Sequence, residues 1–207
     1  VLEEARPEDG ILGEEEAPKA SRSGLTWVLD PIDGTRAFVA GMPTWGTLIA
    51  VNAGGAPLAG LIDQPFIGER FWGDTTGGWY RRKSGDAQPL RARAPRALAD
   101  ATLFSTFPEI GTAQERAAFE RVSHAVRLTR YGTDCYAYGL LALGQIDLVI
   151  EAGLQAYDIQ GPMAVVTGAG GIVTNWRGGP AEQGGQVIAA ANERIHADAV
   201  AMLSEAG

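Results

Sequence analysis

The stretch Leu25-Thr-Trp-Val-Leu-Asp-Pro-Ile-Asp-Gly-Thr35 decides how the rest of the chain is read. A β-rich apolar run ends in two carboxylates, Asp30 and Asp33, with Pro31 between them and Gly34-Thr35 directly after. A strand gives Asp30 a fixed direction, Pro31 removes an N–H and locks φ, and Gly34 lets the backbone approach a ligand closely. If a helical turn starts there, the amides of Gly34, Thr35 and Arg36-Ala37 point free N–H groups at an anion. Two carboxylates beside an amide cradle point to a metal next to a phosphate. A turn closing a strand is the competing reading, since Asp-Pro and Asp-Gly favour turns, and the stretch alone supports both equally.

Composition narrows the choice. The 207 residues, 45% hydrophobic, supply a core for one large domain or two modest ones. A net charge of −8 argues against a nucleic-acid partner, whose phosphates need Lys and Arg, but not against a small phosphate ester held through metal ions. No apolar run is long enough for a membrane span, and Val1-Leu-Glu-Glu lacks the basic start of a signal peptide, so the expectation is a soluble, cytoplasmic protein with no membrane partner. The single Cys135 rules out an internal disulfide and reads as a small buried apolar residue. With only His124 and His196 as histidines, the chemistry falls to carboxylates. Trp27, Trp45, Trp72, Trp79 and Trp176 read as packing residues in so acidic a chain.

Along the chain, residues 1–16 give an acidic, helix-like opening, and Ala17–Gly24 a mobile polar loop. From Leu25 to Arg82 the signals are strands and turns: Thr44–Ala53 and Pro57–Asp63 flank the hairpin signal Gly54-Gly55, and Glu69–Gly73 and Gly77–Arg82 follow. These make an antiparallel sheet that needs a cover, and with little helix in this half the cover is expected from residues upstream of Val1. Lys83–Asp100 reads as a connector. The second half alternates: strands at Thr102–Thr106, Leu128–Tyr131, Ile146–Glu151, Ile172–Asn175 and Val187–Ala190, and helices at Thr112–Val126, Asp134–Leu143, Asp158–Gly168 and Glu193–Ala206. Asp158 is the expected N-cap of its helix, with Pro162 in the first turn. The outcome is an α/β chain: residues 1–100 form an antiparallel sheet lobe and 101–207 an α/β lobe.

Three acidic sites stand out: Glu14-Glu15, Asp30/Asp33 and Asp158. Mg²⁺ prefers oxygen ligands and is commonly held by one or two carboxylates plus substrate phosphate. Two such ions about 3.5–4 Å apart can activate a water on one side and stabilise the leaving oxygen on the other. Locally, though, three successive glutamates at 14–16 also read as a solvated charge run.

Gly13-Glu14-Glu15, Asp30-Pro-Ile-Asp-Gly-Thr35 and Tyr157-Asp158 leading into Gly168-Ala-Gly-Gly171 resemble, in order and spacing, the motifs of the inositol monophosphatase family of Mg²⁺-dependent phosphatases. Trp45-Gly-Thr-Leu-Ile-Ala, Arg130–Tyr138 and Gly170–Trp176 are most similar to its histidinol-phosphate phosphatase branch. The resemblance covers essentially the whole chain and implies a layered α-β-α-β-α fold, two or three Mg²⁺ ions and a small-molecule phosphate ester as substrate. It implies that Glu14, Asp30, the Ile32 carbonyl, Asp33 and Asp158 hold metal, with Asp30 bridging. Glu14, Thr35 and Asp33 would form the catalytic set, and the amides of Gly34 and Thr35 would receive the phosphate. Substrate contacts fall on Glu151, Asp134 and the Gly132-Thr133 turn. Two carboxylates near the leaving group suit a cationic substrate, which favours L-histidinol phosphate over inositol 1-phosphate; Asp134 also reads as a cap for the helix it starts.

The sequence departs from the family in three respects. Tyr157 stands where a Trp is common, and Gln160-Gly161-Pro162 replaces small, helix-friendly residues. The family's N-terminal helices are also absent before Val1, so an N-terminally truncated, non-catalytic binding protein is a competing expectation. Exposed sheet faces favour a homodimer.

Overall fold

Between residues 26 and 82, runs at 26–33, 46–52, 57–64 and 69–74 largely alternate more and less buried side chains with a period of two, and they fold as the strands that period demands. The computed structural model describes residues 1–204. Its first sheet follows chain order: β1 (Gly10–Gly13), β2 (Thr26–Asp33), β3 (Gly46–Asn52), β4 (Pro57–Gln64), β5 (Glu69–Asp74), β6 (Gly77–Arg82) and β7 (Gln88–Pro89). Neighbours are antiparallel except β1 and β2, which run parallel. Two short helices belong to this half, α1 (Leu2–Ala5) and α2 (Thr35–Val39).

The acidic opening is therefore helical only in α1. Pro7 cannot donate a helical hydrogen bond, and the apolar pair Ile11-Leu12 instead joins β2. Asp9, buried at the turn, accepts from Arg6 Nε at 2.8 Å, Ser23 Oγ at 2.6 Å and Trp27 Nε1 at 2.9 Å. Those bonds, with Lys19 paired to Ile11 and the Arg22 and Ser23 amides bonded to the Glu8 carbonyl, pin the loop that composition marks as mobile. The connector after Arg82 also carries more order than its composition predicts: β7, a 3-10 turn at Leu98–Asp100, and Arg93 bonded to the buried Asp147 at 2.9 Å.

The second half contributes β8 (Thr102–Ser105), α3 (Ala113–Ala125), β9 (Leu128–Tyr131), α4 (Tyr136–Ala142), β10 (Leu148–Leu154), α5 (Ala156–Gly168), β11 (Ile172–Thr174), β12 (Gly185–Ala190) and α6 (Glu193–Ser204). Thr112 caps α3 in a reciprocal pair with Glu115. The predicted extension of the last helix to Ala206 lies outside the described residues. The sheet order is β11-β12-β10-β8-β9, with β8 parallel to β9 and β10 and with β12 antiparallel to β10 and β11. One core joins Leu103, Leu148, Ile150 and Ile188 to Phe119 of α3 and Ile195 of α6. The other joins Val149, Val187 and Ala189 to Leu141 of α4 and Ile159 of α5, and through them to Leu48, Ile62 and Phe71 of the first sheet. Of the expected α-β-α-β-α order, the described residues form the β-α-β-α part. The outer face of the first sheet carries a half-buried apolar row across directly paired positions, Leu29, Ile49, Leu61, Trp72 and Trp79.

The cover on the inner face of the first sheet comes from α5, far downstream in the chain. The approach is backbone to backbone. A Cβ at Gly60 would lie 2.9 Å from the Gly161 Cα, one at Gly78 would lie 2.9 Å from the Gly168 carbonyl carbon, and one at Gly73 would strike the Ala164 carbonyl. The helix also begins earlier than expected. Gln155 is the N-cap, and Asp158 sits three residues in, where its Oδ2 accepts the Gln155 N–H at 2.6 Å. Pro162 consequently falls inside the helix, at the position whose missing N–H would have bonded the Asp158 carbonyl. Burial on the sheet outweighs that lost bond.

Candidate active site

Register assembles the acidic residues. Gly13 of β1 pairs with Leu29 of β2, so Glu14 emerges beside Asp30, with its N–H bonded to the Leu29 carbonyl at 3.3 Å. Along β2, Asp30 and Asp33 are three apart, and a regular strand would point them to opposite faces. A bulge intervenes: Asp30 pairs with Leu48 but Asp33 with Gly46, so β2 spends three residues where β3 spends two. Pro31, which cannot donate to the ladder, sits in that bulge, and the extra residue returns Asp33 to the side of Asp30. Asp30 Oδ1 accepts the Ile32 N–H at 3.0 Å, and Thr35 Oγ1 donates to the Ile32 carbonyl at 3.1 Å. Gly34 ends the strand at φ 77° and caps α2; a Cβ there would lie 2.9 Å from the Asp134 Cγ, so only glycine fits.

Asp158, delivered by the N-terminal turn of α5, completes a cluster. One ligand oxygen from each of Asp30, Asp33 and Asp158 lies within 4.8 Å of the others. Asp30 is buried, and burial, followed by the charges of Asp33, Glu14 and Asp158, pushes its carboxyl up to about 8. Burial likewise raises Asp33 to about 7, opposed by hydrogen bonds from the Cys135 thiol and from the Cys135 N–H, the latter at 2.8 Å. Asp158 is raised too, by burial first and then by Glu14. Glu14 is solvent-exposed and outside the 4.8 Å set, yet close enough for its charge to act on both aspartates.

The second half adds a flanking cavity of ≈ 260 Å³, lined by Asp33, Asp134, Tyr138, Glu151 and Asp158 among others. Glu151, 6% exposed, sits beside a second bulge in β10 and is clasped by Thr106 N–H at 2.7 Å, Thr106 Oγ1 at 2.9 Å and Ser105 Oγ at 3.3 Å. Burial outweighs those donors and lifts its carboxyl to about 8. Asp134 is no helix cap. It occupies left-handed space at φ 45°, its carboxylate accepts from Thr44 Oγ1 at 3.2 Å, and α4 starts two residues later with no side-chain cap. The Gly132 carbonyl accepts from the same Thr44 hydroxyl at 3.3 Å, and the buried Thr133 Oγ1 has no hydrogen-bond partner.

Sequence reasoning missed Tyr138. Its ring reads as core on an apolar helix, and only the accounting of its buried hydroxyl, which has no partner, marks it as something else. No spacing signal marks it: Asp134 stands in left-handed space before α4, so the four residues between them are not a helical turn.

The sequence profile of the inositol monophosphatase family matches residues 1–207. The chain belongs to the inositol monophosphatase family. It is 42% identical over 174 residues to a chloroplastic bifunctional phosphatase of Arabidopsis thaliana, covering 83% of this chain and 49% of that protein. The chain thus spans about half the length of that relative. It is 33% identical to a histidinol-phosphatase of Streptomyces coelicolor, over 99% of this chain and 78% of the relative. Among solved structures, an inositol monophosphatase from Zymomonas mobilis superposes with a TM-score of 0.88 at 38% identity, covering 98% of this chain and 78% of that one.

Members of this inositol monophosphatase family are metal-dependent phosphatases, and the residues present fit a metal. The donors are all carboxylate oxygens, as a hard divalent cation requires. Among the described residues no Lys or Arg pairs with Asp30, Asp33 or Asp158, so their mutual repulsion has no internal neutraliser. No helix of the described chain is long and apolar enough to cross a membrane.

Proposed function

We propose that this chain carries the active site of a Mg²⁺-dependent phosphomonoesterase that hydrolyses L-histidinol phosphate to L-histidinol and inorganic phosphate. The observation that carries this reading is the pair Asp134 and Glu151, which line the cavity beside the Asp30/Asp33/Asp158 cluster with no basic side chain paired to either among the described residues. Both carboxyls are destabilised by burial, and a cationic alcohol relieves that cost where a neutral polyol does not. The similarity to a histidinol-phosphatase supports the same choice.

In this reading Asp30, Asp33, Asp158, Glu14 and the Ile32 carbonyl hold Mg²⁺, which supplies Lewis acidity toward the phosphoryl group and acidifies water. The Gly34 and Thr35 amides, at the end of β2, bind phosphate oxygens. Glu14 and the Thr35 hydroxyl orient the attacking water, and the Glu14 carboxylate takes up its proton. The new bond joins the water oxygen to phosphorus, the bond from phosphorus to the substrate oxygen breaks, and the departing alcohol takes a proton from solvent. The Cys135 N–H fixes one oxygen of Asp33 and thereby its orientation.

Parallel assays of L-histidinol phosphate and inositol 1-phosphate, in Mg²⁺ and in EDTA, test the reading. The expected result is EDTA-sensitive turnover with the higher kcat/KM on histidinol phosphate; faster turnover of inositol 1-phosphate would remove the substrate assignment.

A further inference from the structure

We propose that the Tyr138 hydroxyl is a substrate-specificity contact: a hydrogen-bond donor to the unprotonated ring nitrogen of an imidazole-bearing leaving group. The inference rests on the histidinol phosphate reading of this site and goes further by naming the residue that recognises the ring.

Tyr138 is 3% exposed and lines the cavity shared with Asp33, Asp134, Glu151 and Asp158, yet its hydroxyl has no partner among the described residues. Buried hydroxyls are rarely left so in a finished interior, which makes the cavity the direction in which its bond is made. The other side-chain donors of the lining are already engaged: the Thr106 hydroxyl and N–H serve Glu151, and Cys135 serves Asp33. Tyr138 is thus the side-chain donor left for a ligand, in a cavity whose remaining polar groups are carboxylates. Burial and the nearby charges of Glu151, Asp33 and Asp158 hold the phenol well above its usual pKa, so it stays a donor throughout the working pH range.

A ligand that satisfies this cavity offers N–H groups to the carboxylates and one acceptor to the phenol. An ammonium together with a neutral imidazole has that set: N–H donors on the amine and one ring nitrogen, and a lone pair on the other ring nitrogen. The aromatic wall agrees. Phe107 lines the same cavity, 42% exposed, with the Arg36 guanidinium 5.0 Å from its ring centre, so the ring is held in place and offers apolar area to a flat group.

The test compares wild type with Tyr138→Phe in the full chain, measuring kcat and KM on L-histidinol phosphate and on phosphoethanolamine, which keeps the amine and lacks the ring. The expected result is a KM for histidinol phosphate raised about tenfold, with kcat and the phosphoethanolamine kinetics little changed. Melting temperature should not fall, because the substitution removes a hydroxyl that has no protein partner. Unchanged KM for histidinol phosphate, or an equal loss on both substrates, overturns the inference while leaving the substrate assignment intact. If wild type itself prefers inositol 1-phosphate, the substrate assignment fails first and the ring contact fails with it, a result read in wild type alone.

Discussion

Replacing Asp30 by asparagine separates the electrostatic cost of the acidic cluster from its purpose. Asp30 is 2% exposed, and burial with three nearby carboxylates pushes its pKa up to about 8. In the unfolded chain an aspartate loses its proton near about 3.9. Between those values the folded protein holds a proton that the unfolded chain has released, so this contribution to stability is complete below the lower value and is lost as pH rises through the upper one. Each retained proton corresponds to about 1.4 kcal/mol per pH unit. Over roughly pH 5 to 8 the ceiling is about 4 kcal/mol, and sharing the titration with Asp33 brings the expectation to about 2 kcal/mol. Asparagine cannot ionise and keeps an oxygen for the Ile32 N–H, bonded at 3.0 Å. Metal-free Asp30→Asn should therefore melt with wild type near about pH 5 and roughly 4–8 °C above it near pH 8. Mg²⁺ reverses the order. At a hundredfold excess over Kd the wild type gains about 2.7 kcal/mol, and the variant loses most of that gain together with phosphatase activity. Scanning fluorimetry across this pH range, with EDTA and with Mg²⁺, reads both effects. Parallel pH profiles of the two proteins in EDTA, or an undiminished Mg²⁺ shift in the variant, would refute the reasoning.

Two further substitutions probe the leaving-group cavity and the frame. Glu151→Gln keeps an oxygen for the two Thr106 donors that meet at Oε1 and places an NH2 where Ser105 Oγ met Oε2, a contact the hydroxyl can reverse by accepting, and it removes the charge; kcat/KM on histidinol phosphate should fall about 10–100-fold, roughly 1.5–3 kcal/mol, while inositol 1-phosphate changes little, and equal losses on the two substrates would show the carboxylate to be structural. Gly161→Ala forces a methyl to within 2.9 Å of the Leu61 carbonyl, which should cost about 1–3 kcal/mol in a urea titration and lower the Mg²⁺-induced melting shift, because α5 carries Asp158 into the cluster.

The sequence makes the first half of the site legible because Asp30, Asp33, Gly34 and Thr35 are consecutive and their local geometry is set by Pro31 and a glycine. Glu14 and Asp158 come through resemblance alone, since nothing in their own surroundings separates a ligand from a solvated charge. Strands and helices follow from periodicity almost throughout. What does not follow is which helix covers which sheet: α5 reaches back past β8, β9 and β10 to the first sheet, and the paired glycines 60, 73, 78, 161 and 168 are visible as contacts only once strand and helix are placed together. The cap of α5 is misread for a related reason. Asp158 has the chemistry of an N-cap, but it acts from the third helical position of a reciprocal cap with the exposed Gln155, and the buried Ala156 opens the helix upstream of it. Asp134 is likewise drawn from the helix end to the site by Thr44 and by the space above Gly34.

The dependence of the first sheet on α5 also bears on how the protein is made. Leu48, Ile62 and Phe71 leave the ribosome long before the helix that covers them, because synthesis must run on from Arg82 to Gly168. At about 5–20 residues per second that interval is roughly 5–20 s. For its duration the nascent chain presents a row of strands with one apolar face unshielded, the state in which neighbouring chains on a polysome pair most readily. Expression yield, more than the melting temperature of the finished protein, is where a weakened α5 contact will first be felt.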